Sequence, residues 1–74
     1  MTDSSIPLTP VASSNVKAVG FDPDRQIIAV EFNSGGLYYY EGCDQKLYDD
    51  LLAAGSIGRF VHTFLKPKGF VKVV

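Results

Sequence analysis

The chain has one cysteine (Cys43), one histidine (His62), no acidic residue after Asp50 and no long apolar run. One cysteine excludes an internal disulfide, which suits a reducing compartment, and a cysteine with one histidine does not make a zinc site. No apolar stretch approaches the roughly 18 residues that span a bilayer. The N-terminus lacks a basic start followed by an apolar segment, so no secretory signal is visible and a cytoplasmic location is expected, without membrane attachment. No carboxylate pair has catalytic spacing and no base–nucleophile pair can be named, so catalysis, cofactors and metals are not expected. Internal repeats and low-complexity segments are also missing.

What is present suits one small domain. Seventy-four residues bury only about 60% of the surface that the unfolded chain exposes, enough for a single core. The net charge of −1 hides an asymmetry. Residues 41–50 carry Glu41, Asp44, Asp49 and Asp50 against Lys46, whereas residues 51–74 carry Arg59, Lys66, Lys68 and Lys72 with no acid. The second half is either an anion footprint or a solvated basic face.

Residues 1–12, with two prolines, two serines and two threonines, read as a flexible arm, although Ile6, Leu8 and Val11 are apolar enough to lie on the domain of residues 13–74. Val16 to Phe21 reads as a strand ended by the turn Asp22-Pro23-Asp24. Gln26 to Phe32 is the clearest strand, with Ile28, Val30 and Phe32 on one face and Ile27 and Ala29 on the other, which suggests cover on both sides. Asn33-Ser34-Gly35-Gly36 supplies a hairpin turn, and Leu37 to Glu41 returns as a third strand. Asp44 is a candidate N-cap for a helix carrying Leu47, Leu51 and Ala54 at helical spacing, with Gly55 in the left-handed position at its end. Ser56 caps a second helix, whose Ile57, Phe60, Val61, Phe64 and Leu65 form an apolar stripe that Pro67 ends. Phe70 to Val74 is a candidate last short strand. Strands followed by helices predict an α+β fold: a three-stranded antiparallel meander packed by a C-terminal helical hairpin.

Three features carry possible chemistry. The run Tyr38-Tyr39-Tyr40 lies in a strand, where alternate residues face opposite sides, so at least one ring points away from the helices. If Phe32 pairs with Leu37, Tyr39 faces with Val30 and Tyr38 and Tyr40 lie opposite; a one-residue bulge reverses this, and Tyr38 and Tyr40 then pack under the helices. An exposed ring beside basic groups suits stacking of an unpaired base. The second feature is Gly55-Ser56-Ile57-Gly58-Arg59, a glycine-rich helix start suited to phosphate or carboxylate. A tight interhelical turn explains Gly55 and Ser56 equally well but leaves Gly58 without a reason, unless something approaches it closely. The third is the basic stripe of Arg59, His62 and Lys66 at i, i+3 and i+7. His62 reads as a surface member of that stripe, and Cys43 as a packed thiol, although its place before an N-cap favours a thiolate.

With these elements placed, the chain resembles the KTSC domain, named for its occurrence at the C-terminus of some lysyl-tRNA synthetases. The resemblance rests on Ser13-Ser14-Asn15-Val16, Val19-Gly20-Phe21-Asp22, the Tyr38 and Tyr40 pair after a glycine, Tyr48, and Ala54-Gly55-Ser56-Ile57-Gly58 followed by Phe60. It covers residues 13–74 and implies a free-standing small bacterial or phage protein; the tie to a tRNA synthetase implies RNA binding. Two departures are Cys43-Asp44, where the family often has Val-Pro, and Gly69-Phe70, where it often has Tyr-Pro.

Two functional expectations follow. The first is a non-catalytic module binding RNA or nucleotide, with phosphate at Ser56, Gly58, Arg59 and Lys66 and a base against Tyr38, Tyr39 or Tyr40. The alternative is a protein–protein interaction module, an adaptor or, if phage-encoded, an inhibitor of a host protein. A homodimer through the open edge of the sheet is compatible with both.

Overall fold

The computed structural model describes residues 6–73. Five strands form one antiparallel sheet in chain order: β1 (Thr9–Pro10), β2 (Val16–Asp22), β3 (Ile27–Phe32), β4 (Leu37–Tyr40) and β5 (Phe70–Lys72). Between β4 and β5 come α1 (Gln45–Ala53) and α2 (Ile57–Phe60), the latter continuing as a π-helical stretch (Val61–Leu65) and a 3-10 turn (Lys66–Lys68). The α+β class and the helical hairpin are as expected, but the meander has five strands rather than three. Both additional strands are short edges: β5 is the last short strand expected within Phe70 to Val74, whereas β1, two residues long, carries too few alternating residues to announce itself in sequence.

The β3–β4 hairpin has a three-residue loop. Phe32 and Gly36 close it, with Phe32 N–H donating to Gly36 C=O at 2.8 Å and Gly35 N–H donating back to Phe32 C=O at 2.9 Å. Glu31 therefore pairs with Leu37, Val30 with Tyr38, Ala29 with Tyr39 and Ile28 with Tyr40. A four-residue loop would have paired Phe32 with Leu37, and the one-residue difference decides which tyrosines meet the helices. On β2 a bulge at Lys17 brings Val16 and Val19 to the same face, opposite Phe32 and Val30.

The helix-side face is the core. Val16, Val19, Ile28, Val30 and Tyr40 pack against Cys43, Leu51, Ile57, Val61 and Leu65. Burying a side chain such as Leu51 fully contributes about 1.5–3 kcal/mol. Asp44 caps α1 as expected, its Oδ1 accepting from Leu47 N–H at 2.9 Å. The end of α1 differs: Ala54 in extended conformation is the C-cap, and Gly55 is not left-handed. Ser56 caps α2, accepting from Arg59 N–H at 3.3 Å.

The predicted apolar stripe of the second helix is interrupted. Ile57, Val61 and Leu65 are buried, but Phe64 is 53% exposed. The cause is the π turn, in which Lys66 N–H donates to Val61 C=O, five residues back. The wider turn aligns residues four apart and rotates a residue three apart off the core.

The back of the sheet is covered by the N-terminal segment. Ile6 is buried over this face, its N–H donating to Tyr39 Oη at 3.2 Å. Thr9 and Pro10 pair with Val19 and Ala18. The expected flexible arm of residues 1–12 is thus corrected for residues 6–12; Met1 to Ser5, like the Val74 of the predicted last strand, lie outside the described residues. Gly20 permits the crossing, since a Cβ there would collide with the Pro7 carbonyl oxygen and meet Ile6 Cγ2 at 3.1 Å.

Gly20→Ala is expected to lower stability by about 1–3 kcal/mol in urea unfolding, as overpacking does elsewhere. Unchanged stability would show that the crossing segment is not held against β2.

Candidate functional site

A groove of about 1030 Å³ opens between the core-side edge of the sheet and the second helical segment. One wall is aromatic: Phe32, Tyr38, Tyr40 and Phe70. The other carries Ser56, Gly58, Arg59, His62 and Lys66, and Asn15 and Asn33 stand at the end near the hairpin. No aspartate or glutamate is among the described residues that line it.

The aromatic wall is built by register. Tyr38 and Tyr40, two apart on β4, share the face of Val30 and Ile28, and Phe70 stands opposite Tyr40 on β5. Ring centroids lie 5.5 Å apart for Phe32 with Tyr38 and for Tyr38 with Phe70, both edge to face. The Tyr40 and Phe70 rings are also 5.5 Å apart, tilted by 45°. Such contacts contribute about 0.5–1.5 kcal/mol each beyond burial. Tyr40 is only 4% exposed and forms part of the floor. Burial, with Tyr38 beside it, pushes its phenol above the ordinary range and keeps it neutral. Tyr38 is half-buried at the groove surface. Tyr39 lies on the opposite face under Ile6 and takes no part.

The basic wall follows from the helix. Arg59, His62 and Lys66 are exposed and all three line the groove. The π turn sets the Val61–Leu65 pair into the core, which leaves His62 and Lys66, also four apart, together on the groove side. Among the described residues neither Arg59 nor Lys66 is paired with a carboxylate; the ion pairs there join Arg25 with Asp22 and Lys46 with Asp50.

Gly58 has a structural reason. A Cβ at this position would stand 3.0 Å from Asn15 Nδ2 and 3.2 Å from Asn15 Cβ. The close approach foreseen in sequence is therefore made by the Asn15 side chain. That loop is itself fixed: Ser13 Oγ accepts from the N–H groups of Asn15 and Val16, both at 3.2 Å. Asn33 ties it to the hairpin, with Nδ2 donating to Ser14 C=O at 2.9 Å and its own N–H donating to Asn15 C=O at 2.9 Å. Ser56 Oγ is engaged as a cap, so the groove's anion chemistry rests on the three basic side chains rather than on that hydroxyl. The site thus gathers Ser56, Gly58, Arg59, Lys66, Tyr38 and Tyr40 of the expected set. Asn15, Asn33, Phe32 and Phe70 were not singled out as site residues; in sequence they stood only in the Ser13-Ser14-Asn15-Val16 motif, the hairpin turn, the strand from Gln26 to Phe32 and the last short strand.

Cys43 is fully buried, with Sγ donating to Tyr40 C=O at 3.3 Å. Burial raises its thiol above the ordinary 9.0, a direction opposite to the thiolate that a helix start favours. Folding favours the neutral form, so this contribution is present below pH 9.0 and is lost as pH rises through the higher folded-state value.

Residues 12–70 match the KTSC domain family. A protein of Tsukamurella paurometabola is 46% identical over 61 residues, which cover 82% of this chain and 91% of that protein. An uncharacterized protein of Stutzerimonas stutzeri is 41% identical over 58 residues, 78% of this chain and 82% of its own length. A lysine–tRNA ligase of Nostoc sp. is 32% identical over 62 residues; these cover 84% of this chain but 11% of the ligase. The crystal structure of a KTSC domain protein from Yersinia pestis superposes with a TM-score of 0.87 at 30% identity, covering 95% of this chain and all of that one.

Two predictions concern this site. Gly58→Ala should not deliver the gain of about 1 kcal/mol usual for Gly→Ala inside a helix, because Asn15 must move; a full gain in urea unfolding would refute the contact. The Cys43 thiol should stay unreactive toward a thiol reagent until the protein unfolds, and stability should fall as pH rises above 9.0. Rapid labelling of the native protein would contradict the burial.

Proposed function

This chain belongs to the KTSC domain family, and on that premise we propose that its groove binds a phosphate-bearing ligand, single-stranded RNA or a nucleotide, without turnover. One observation carries the reading: cations and aromatic rings from separate segments line one groove in which the described residues include no carboxylate. Arg59 offers a planar fork to phosphate oxygens, and Lys66 adds a point charge. A base lies against Tyr38 with Phe32 and Phe70 beside it, in a contact worth about 1–3 kcal/mol per base. The carboxamides of Asn15 and Asn33 stand where a base edge or a sugar hydroxyl would reach.

The resemblance to a segment of a lysine–tRNA ligase supports an RNA ligand, since that relative is named for acting on tRNA.

Binding of a short single-stranded RNA should weaken with salt. Two neutralised phosphates give a slope of about −1.4 in log K against log salt, at about 0.7 per phosphate. The double variant Arg59→Ala, Lys66→Ala should flatten that slope and reduce affinity, measured by fluorescence anisotropy at several salt concentrations. Binding unchanged in the double variant would sink the reading.

A further inference from the structure

The sheet has two edges of different character. β1 is two residues long and contains Pro10, a blunted edge. β5 is open: it pairs with β4 on one side and has no neighbour among the described residues on the other. Val73 N–H donates to Leu37 C=O at 2.7 Å, and Glu41 N–H donates to Gly69 C=O at 3.2 Å. By the antiparallel alternation, Gly69, Val71 and Val73 turn their backbone groups toward β4, and Phe70 and Lys72 turn theirs outward. Side chains along this edge are exposed as well: Phe70 by 46%, Val71 by 54% and Val73 by 43%. Phe70 and Lys72 point to the groove side of the sheet, and Val71 and Val73 to the face of Tyr39.

The edge is also basic. Lys66 and Lys68 lie in the turn that leads into β5, and Lys72 lies in the strand. No acidic residue occurs from Leu51 to Val74. Glu41, across from Gly69 at the start of the strand, is the acid at that end. Among the described residues these three lysines join no ion pair.

We propose that β5 is a docking edge for an extended acidic segment of another protein, which adds to the sheet as a sixth strand. Its backbone bonds to the outward N–H and C=O groups of Phe70 and Lys72. Its alternate apolar side chains cover Val71 and Val73, and the carboxylates between them meet Lys72 and the lysines of the preceding turn. A second copy of this chain fits poorly, because edge-to-edge pairing brings Lys66, Lys68 and Lys72 of both copies together, and like charges on paired strands repel. Edge lysines discourage self-pairing in this way; here they leave the edge open to a strand of opposite charge. The inference rests on the outward backbone of β5 and on Lys72, and does not depend on the ligand reading of the groove, although Lys66 and Phe70 border both surfaces.

The test uses the full chain and two labelled peptides of about six residues, a usual strand length. One alternates valine with glutamate, the other valine with lysine. The acidic peptide is expected to bind and to slow amide exchange at Phe70 and Lys72. Lys72→Glu should weaken it about tenfold. Lys72→Pro removes one outward N–H but leaves the Val71 and Val73 bonds to β4, and should weaken binding more than Lys72→Ala does. Equal binding of the basic peptide would overturn the proposal. So would absence of protection at the two amides, protection that grows with protein concentration alone, or protection given by single-stranded RNA but not by the acidic peptide.

Discussion

The pairing of Val30 with Tyr38 and Ile28 with Tyr40 is the constraint on which the groove depends. It is set by a three-residue hairpin loop closed between Phe32 and Gly36. Because side chains alternate along a strand, this register sends Tyr38 and Tyr40 to the helix side and Tyr39 to the back. The consequences spread outward: Tyr40 becomes floor, Tyr38 meets Phe32 edge to face, and Phe70 on β5 closes the aromatic row. On the back, the Tyr39 hydroxyl accepts the Ile6 N–H and helps hold the N-terminal segment over Gly20. A slip of one residue would exchange the two faces and dismantle the aromatic wall.

The basic wall depends on the helix that runs from Ile57 to Lys68. Its passage from α to π turn keeps Ile57, Val61 and Leu65 in the core while turning His62 and Lys66 to the groove. The exposed Phe64 is the counterpart of that rotation. The same segment then leads through Gly69 into β5, so one stretch of chain supplies the groove's cations, its last aromatic ring and the sheet's open edge.

Much of this was legible in the sequence. β2, β3 and β4, the Asp44 and Ser56 caps and both helices follow from alternation, helical spacing and capping chemistry, and the basic stripe was visible as Arg59, His62 and Lys66. The face of each tyrosine was not, because Asn33-Ser34-Gly35-Gly36 permits loops of three or four residues, and Val30 and Phe32 keep the same face with either; the closure between Phe32 and Gly36, which places Tyr40 in the core, is visible only in three dimensions. The N-terminal strand was hidden by two prolines and an irregular apolar pattern; its docking depends on Gly20, whose role needs the third dimension. Phe64 was misassigned because helical spacing assumes an α turn throughout. Gly58 pointed correctly to a close approach, but the approaching group, Asn15, lies more than forty positions earlier in the chain.

The central claim is that the rings and cations of the groove act together on one phosphate-bearing ligand. An NMR titration of the labelled protein with short single-stranded RNA and with mononucleotides, at two salt concentrations, tests it directly. The account predicts shifts gathered at Asn15, Tyr38, Phe70 and the segment from Ser56 to Lys66, weaker at the higher salt, with Tyr39 and β1 undisturbed. Shifts spread evenly over the surface, or none for any of these ligands, would contradict it and return the basic residues to an ordinary solvated helix face.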